Sequence, residues 1–457
     1  MKKIKIAYIG GGSRLWARNI MSDLAIDKDL SGLVSLYDIV PEAARNNSII
    51  GNKMMELEDA NHAFKFEQSE TLKDCLTDAD FVFISILPGT FAEMKAYVDM
   101  PKKYGIYQPV GDTAGVSGIF RSLIMMPMYE EIALAIKEFS PDAWVINFTN
   151  PMSMAVRILY HVFPEIKAFG NCHEVFGTQK LLAGVLKETK GLDVNFRDID
   201  VNPQGINHFT WINKAAYKDI DVFPLYKEFV KKHKEIGYYF ADYNKDNVFG
   251  GTDKVKLNLF DEYGVIAAAG DRHLVEFFPN ELFLGNYNPQ PQWGFKLTPV
   301  DLRIARMKKD DEDARLIAGG KKEVKITPSN EDAVKQMRAL LGLEKFITNV
   351  NLPNIGQIEN LPVGAIVETN AYFWKDNVQP VFSGKMPLSL VNLTMPHIRT
   401  HDLLIKAFQS KNLKFAYEAF IRDVTIKKLT IEDKTSMFKE IYEATKAYMN
   451  YYQDLML

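Results

Sequence analysis

Ile4-Lys5-Ile6-Ala7-Tyr8-Ile9-Gly10-Gly11-Gly12-Ser13 is the stretch on which the fold of this chain turns. An apolar strand runs into three glycines, which let the backbone turn tightly and approach a pyrophosphate. Amides at the start of the following helix would face that charge. Ser13 can cap the helix or bond a phosphate oxygen. The spacing is Gly10-x-Gly12, with Trp16 where the fuller fingerprint often carries a third glycine. Asp38 closes the second strand, where a carboxylate accepts bonds from the adenosine ribose hydroxyls and disfavours a 2′-phosphate; this points to NAD rather than NADP. The competing reading is a tight strand-to-helix turn without a ligand, with Asp38 as a surface cap.

Outward from this loop, the first 170 residues alternate as a parallel α/β sheet does. Strand-like runs fall at Ile4–Ile9, Leu33–Tyr37, Phe81–Ile86, Ala143–Phe148 and Ile166–Gly170. Helical patterns lie between them at Arg14–Ala25, Pro41–Glu58 and Ile119–Phe139. The expectation is a Rossmann-type doubly wound α/β sheet, with every strand's C-terminal end on one ligand-binding edge. Beyond Val201 the pattern mixes strands (Asn207–Lys214, Ala365–Asn370, Pro380–Phe382) with amphipathic helices near 299–319, 330–344, 400–422 and 431–454. This reads as an NAD-binding domain over 1–195 and an α+β substrate and metal lobe over 196–457. The charged stretch Met307–Arg315 reads as a solvated helix face.

Composition bounds the function. Apolar residues make up 47% of the 457 and charged residues 25%, as in ordinary globular proteins. The net charge of -3, from 55 basic and 58 acidic side chains, gives no reason to expect nucleic acid or anionic membrane as a partner. Met1-Lys2-Lys3 leads directly into a strand, so no signal peptide is expected, and no apolar run is long enough to span a bilayer. With only Cys75 and Cys172, the expected setting is the cytoplasm, with both thiols reduced.

Two further loops follow strands: Ser85-Ile86-Leu87-Pro88-Gly89-Thr90 and Asn147-Phe148-Thr149-Asn150-Pro151. Ser85 and Asn147 fall where a nicotinamide ribose would lie, and the second loop resembles the Asn-Pro segment of lactate and malate dehydrogenases. Cys172 precedes His173, and Gly205-Ile206-Asn207-His208 lies further on. A thiolate and an imidazole brought together can hold a divalent metal. Spacing alone leaves the alternatives open: Cys172 as a small buried hydrophobe and His208 as a core histidine. His62, His161 and His233 sit in contexts that read as structural. His397 and His401, ahead of the C-terminal helices, stay unassigned between site and subunit interface.

Taken together, Gly-Gly-Gly-Ser, Asn-Phe-Thr-Asn-Pro-Met, Cys-His-Glu-Val-Phe-Gly and Gly-Ile-Asn-His-Phe-Thr-Trp resemble the family-4 glycoside hydrolases. The match runs in order from residue 4 to beyond residue 370, including Gly111-Asp112-Thr113, Gly270-Asp271-Arg272-His273 and Gln357-Ile358-Glu359-Asn360-Leu361-Pro362. Within the family, Cys-His-Glu-Val-Phe-Gly-Thr-Gln-Lys and Ala-Gly-Asp-Arg-His-Leu are similar to the bacterial α-galacturonidases. The resemblance implies a lactate/malate dehydrogenase-like fold, bound NAD, and a Mn²⁺ or other divalent ion on Cys172 and His208. Phosphoglycoside members carry Asn or Asp after the metal cysteine; His173 here argues against a 6-phosphosugar.

Most glycosidases place two carboxylates about the scissile bond, but the NAD-dependent family is an exception. The resemblance implies C3 oxidation by NAD, C2 deprotonation, elimination of the C1 leaving group, water addition and return of the hydride. It makes Asp271 the expected base, with His273 as rival, and lets His173 protonate the leaving oxygen or bind a hydroxyl. Asp112 and Asn150 are expected on sugar hydroxyls. A uronate carboxylate suits an Arg fork, so Arg272, backed by Arg121, is the expected partner; an ion pair of Arg272 with Glu276 is the structural alternative. Sister specificities are α-glucuronides and α-galactosides. A 2-hydroxyacid dehydrogenase is the other enzyme class, disfavoured because no Gly-x-His-Gly segment is present. A non-catalytic NAD-sensing scaffold is the third. A homodimer or homotetramer is the family expectation, with Met437–Tyr452 either an interface or core.

Overall fold

The glycine turn closes the first strand of a nine-stranded sheet in the computed structural model, which describes residues 1–239, 247–285, 292–329 and 331–453. Six parallel strands form its larger part: β1 (Lys2–Ile9), β2 (Leu30–Tyr37), β3 (Phe64–Gln68), β4 (Phe81–Ile84), β5 (Trp144–Asn147) and β6 (Lys167–Gly170). Their spatial order is β3-β2-β1-β4-β5-β6, the doubly wound order of dinucleotide-binding folds. Pairing of Ile6 with Val34 on one side and Phe81 on the other places Gly10 at the crevice where the winding reverses.

The chain then builds a smaller sheet from β7 (Asp200–Ile206), β8 (Phe209–Tyr217), β9 (Ile220–Asp221) and β10 (Ile266–Ala267). It returns to the first sheet as β11 (Phe346–Pro353), β12 (Ile366–Trp374) and β13 (Asn377–Pro380). β11 joins antiparallel to β6 through Asn351 and Gly170, so the two halves of the chain share one hydrogen-bonded layer. The architecture is a Rossmann-type α/β sheet with an α+β C-terminal region.

Strand alternation sorts the core onto two faces. Ala7, Ile9, Val82 and Val145 pack with the helix Gly115–Phe139 and with Phe420, Phe438 and Ile441 of the C-terminal helices. Ile6, Tyr8, Val34 and Phe83 pack with Ile20, Leu24, Ala314 and Met337. The stretch Met437–Tyr452 is therefore core: Met437, Phe438, Ile441 and Tyr452 are buried.

Several expectations are corrected here. The first helix is Trp16–Ile26, not Arg14 onward, and Ser13 does not cap it. Strands β3 and β11 escape the sequence pattern because each is a sheet element whose register only neighbouring strands set. His208 lies outside any strand, in the β7–β8 turn with φ +63°. The expected helix over 400–422 is two, Leu388–Ser410 and Leu413–Ile421, broken at Lys411 (φ +52°), so His397 and His401 lie inside a helix rather than ahead of one. The other two are Ala333–Leu340 and Ile431–Thr445; positions 330 and 454 lie outside the described residues. Nor is Met307–Arg315 simply solvated. It lies in the helix Val300–Ala318, where Asp311 pairs with Arg14 at 2.6 Å and binds the helix to the glycine loop.

Candidate active site

The glycine loop is built on backbone bonds. Gly10 and Gly11 N–H groups donate to Tyr37 O at 2.9 and 2.8 Å, and Ser13 N–H to Gly10 O at 2.9 Å. Gly10 adopts φ +83°, and a Cβ there would stand 2.1 Å from Ser85 O, so only glycine fits between the loop and β4. Asp38 accepts the Gly12 N–H and the Val40 N–H, each at 2.9 Å, which fixes the carboxylate at the end of β2. Ser85 and Ser13 hydroxyls meet at 3.4 Å. A cavity of about 150 Å³ opens beside Gly12, Val40, Asn47 and Arg14. This edge, with its close glycine turn and fixed carboxylate, fits the adenosine end of a dinucleotide.

Asn147 differs from its expected exposure at the crevice. It is fully buried, donating to Thr149 O and accepting from Tyr129 Oη, and so it shapes the following loop from beneath. Asn150, one residue before the helix Met152–Val162 with Pro151 between, accepts Arg121 Nε on its carbonyl at 2.9 Å; its side-chain Oδ1 is buried without a partner.

On the facing side, three side chains from distant segments converge. Single ligand atoms of Asp112, His208 and His273 all lie within 4.8 Å of one another. The His208 and His273 rings are 3.9 Å apart between centroids. Thr113 Oγ1 donates to Asp112 Oδ1 at 2.7 Å and lies 3.0 Å from His208 Nδ1. One hydroxyl proton cannot serve both, so His208 Nδ1 is the donor and its Nε2 lone pair is left for a ligand. Burial first, and then His273, push His208 down to about 3, so the imidazole is neutral near pH 7. Burial opposes the charge on Asp112, but His273, His208, Arg303 and Arg121 reverse this and hold its carboxyl well below the usual range. With His208 neutral, the permanent cations in that set are the two arginines.

Cys172 approaches from the end of β6. Its thiol is pushed up by burial, then by Glu368 and Glu174, against a smaller opposing effect of the Glu174 backbone N–H and of the nearby Asn207 side chain. Asn349 Nδ2 donates to the Cys172 carbonyl at 3.1 Å and to Glu368 Oε1 at 2.9 Å. Glu368 Oε2 accepts Thr210 Oγ1 at 2.5 Å, so one buried carboxyl ties the Cys172 segment to the hairpin that carries His208. A neutral imidazole, a second imidazole and an ionised carboxylate form a donor set that fits a divalent cation, and the thiol of Cys172 is not one of the three converging groups.

His173 begins the helix Glu174–Lys190. Its Nδ1 is 3.2 Å from Glu331 Oε1, and its ring lies 5.5 Å from Trp16, which stacks on Phe148 at 5.2 Å. The residue standing in place of a third glycine thus links the glycine loop to the start of the helix Glu174–Lys190. Glu174 accepts the Gly270 N–H at 2.8 Å and faces His273 Nε2 at 3.7 Å.

A cavity of about 610 Å³ is lined by His173, Glu174, Asp271, Arg272 and His273, among others. Asp271 accepts the Val255 and Lys256 N–H groups at 3.0 and 2.9 Å. Burial first, and then Asp253, raise its carboxyl to about 7. Arg272 Nη2 donates to Pro109 O at 3.2 Å and to Thr298 Oγ1, while its Nε is buried without a partner. The Arg272–Glu276 ion pair is not formed among the described residues. Glu276 instead accepts the Val110 and Gly111 N–H groups at 2.6 and 2.8 Å. Arg121 lies deeper, its Nη1 3.3 Å from Tyr97 Oη.

Sequence reading missed Thr113, Glu174, Arg303 and Glu368. Only Glu368 left a usable signal, as a carboxylate inside the apolar run Ile366-Val367-Glu368 of a strand. Of the other histidines, His397 bonds Phe277 O at 3.0 Å, His233 pairs with Glu188 at 2.9 Å, and His62 bonds Met55 O.

This arrangement, a glycine turn on the edge of a Rossmann-type sheet together with a cluster of metal-type donors, has counterparts among known proteins. Residues 5–188 match the model of family 4 glycosyl hydrolases, and residues 204–426 match that of the family 4 glycosyl hydrolase C-terminal domain. The chain belongs to family 4 of the glycosyl hydrolases. It is 50% identical over 454 residues to the α-galacturonidase of Lachnoclostridium phytofermentans, covering 98% of this chain and 97% of that one. The crystal structure of lplD from Bacillus subtilis superposes with a TM-score of 0.92 at 45% identity, covering 96% of this chain and all of that one. A 6-phospho-α-glucosidase from gut microorganisms, solved in complex with NAD and Mn²⁺, shares the fold at a TM-score of 0.84 and 18% identity, with full coverage of both chains.

Proposed function

We propose that this protein hydrolyses α-galacturonides, using bound NAD and a divalent cation such as Mn²⁺. The observation that carries this reading is full-length similarity, at 50% identity, to an α-galacturonidase. In support, the cavity sets Asp271, Arg272 and His273 beside His173.

In this reading Gly10, Gly11, Gly12, Ser13, Asp38 and Ser85 hold the dinucleotide, and Asn147 shapes the loop beneath it. Cys172 and His208 hold the cation, with Asp112 and His273 converging on His208. Bound NAD supplies a reversible hydride acceptor, and the cation polarises the sugar hydroxyls it meets. Asp271, a carboxyl whose raised affinity for protons matches a base working near neutrality, takes the sugar C2 proton. His273 is its rival for that role. His173, at the cavity wall, delivers a proton to the leaving oxygen. Arg272, with its unpartnered Nε, receives the uronate carboxylate, Arg121 stands behind it, and Asp112 and Asn150 bond sugar hydroxyls.

The same reading makes the protein cytoplasmic, since both cysteines are free and the metal role requires a reduced Cys172. No helix of the described residues is long and apolar enough to cross a membrane. It is also a homo-oligomer. Ile355, Val363 and Phe382, on two loops tied by Ser383 N–H to Gln357 O at 2.8 Å, and Leu388, at the start of the helix Leu388–Ser410, are 64–81% exposed, an apolar patch suited to a second copy.

The test is turnover of p-nitrophenyl α-galacturonide under reducing conditions, with and without NAD⁺ and Mn²⁺, following nitrophenol and NADH together. Nitrophenol release that needs both additives, with no NADH accumulating, is the expected result. NADH accumulating without nitrophenol would move the protein to the dehydrogenases. Release only from glucuronide or galactoside analogues would change the sugar.

A further inference from the structure

The cavity continues past the groups that would react with the sugar. One wall is the first two turns of the helix Glu174–Lys190, along which Phe176, Gly177 and Lys180 follow His173 at helical spacings of three, four and seven. At ~1.5 Å rise per residue, Lys180 stands about 10 Å along the axis from His173. The volume, about 610 Å³, is roughly twice the ~300 Å³ at which small-ligand cavities begin, leaving room beyond a single sugar ring.

This outer part has the chemistry of a second sugar site. Phe176 and Phe196 stand 6.5 Å apart at its edge and offer the apolar face that a pyranose stacks on. Gly177 presents bare backbone, since a Cβ there would meet nothing within 4 Å. The Arg197 guanidinium lies 4.0 Å from the Phe176 ring and 5.1 Å from the Phe196 ring and is committed to Asp332 at 2.7 Å, so it stiffens the platform while occupying part of it. Lys180 Nζ lies 5.2 Å from the Phe196 ring. The neighbouring cavity lysine, Lys256, is bonded to Thr178 and Asp253, whereas Lys180 makes no ion pair among the described residues. A free ammonium beside an aromatic face, on a four-carbon stem that can reach back along the helix toward His173, is a receptor for a carboxylate carried on the next residue of the substrate.

We propose that Phe196 and Lys180 form an aglycone subsite for a second acidic sugar. It rests on the galacturonidase reading and makes a uronide disaccharide, not a neutral or aryl galacturonide, the substrate the cavity fits. The experiment compares kcat/KM of the NAD- and Mn²⁺-loaded enzyme on α-1,4-digalacturonate and on p-nitrophenyl α-galacturonide, for wild type, Lys180→Met and Lys180→Arg. Loss of one charge-assisted contact predicts a fall of about tenfold for Lys180→Met on digalacturonate only. Lys180→Arg should restore it, and the aryl substrate should be unaffected by either. An equal effect on both substrates, or none on either, would overturn the subsite while leaving the galacturonidase reading intact. Failure of wild type to cleave either substrate would overturn that reading, and the subsite with it.

Discussion

Replacing Glu368 by glutamine should stabilise the protein, and do so more as pH rises. The carboxyl is 1% exposed and sits among Asn349, Asn351 and Thr210, with no cation partner among the described residues. Burial raises it from 4.5 to about 7. The folded chain therefore keeps this proton where the unfolded chain has lost it. Stability falls as pH climbs from about 4.5 through about 7, then stays at the lower level. At ~1.36 kcal/mol per pH unit the full cost is about 3 kcal/mol, of which about 1 kcal/mol is already felt near pH 5. Glutamine keeps the geometry: its oxygen accepts the Asn349 amide, and its NH₂ faces Thr210 Oγ1, whose own proton goes to Ile206 O at 3.0 Å. Denaturant unfolding in EDTA, for wild type and Glu368→Gln, reads the difference. The gap should widen by about 2 kcal/mol between about pH 5 and about pH 8. Parallel profiles, or a glutamine variant weaker at the higher pH, would refute the account of Glu368 as a buried acid whose ionisation the fold resists.

Gly10→Ala should weaken NAD binding by at least about tenfold and cost ~1–3 kcal/mol of stability, because the new Cβ meets Ser85 O and the backbone is at φ +83°; fluorescence titration with NAD and a melting curve check both. Cys172→Ser should remove the Mn²⁺ stimulation of turnover while the NAD dissociation constant stays put, and full activity in this variant would exclude the thiol as a ligand. Phe382→Asp combined with Leu388→Asp should yield a smaller species in sedimentation velocity, since both side chains are more than 60% exposed in the apolar patch; an unchanged sedimentation coefficient would place any interface elsewhere.

The sequence by itself determined the dinucleotide half. A strand ending in Gly10-Gly11-Gly12, a second ending in Asp38, and helical runs between them are local signals, set by backbone freedom and period-two or period-3.6 burial. The ordered motifs through Cys172, His208 and Asp271 also carried the family, and with it the cofactors. Tertiary structure alone decided the rest. Strand β11 reaches β6 across 181 positions through Asn351, a pairing that no local pattern encodes. Asp112, His208 and His273 meet from a loop, the β7–β8 turn and the short helix Asp271–Leu274, segments far apart in the chain that only the fold brings together. Asn147, plausible from sequence as an open ligand, spends its side-chain hydrogen bonds on the protein, and Arg272 spends its Nη2 there while its Nε stays unpartnered. Glu368 reads as an ordinary charge in a strand until β8 and β11 close around it. Spacing along a chain can nominate a donor, but what surrounds that donor decides its protonation and its orientation.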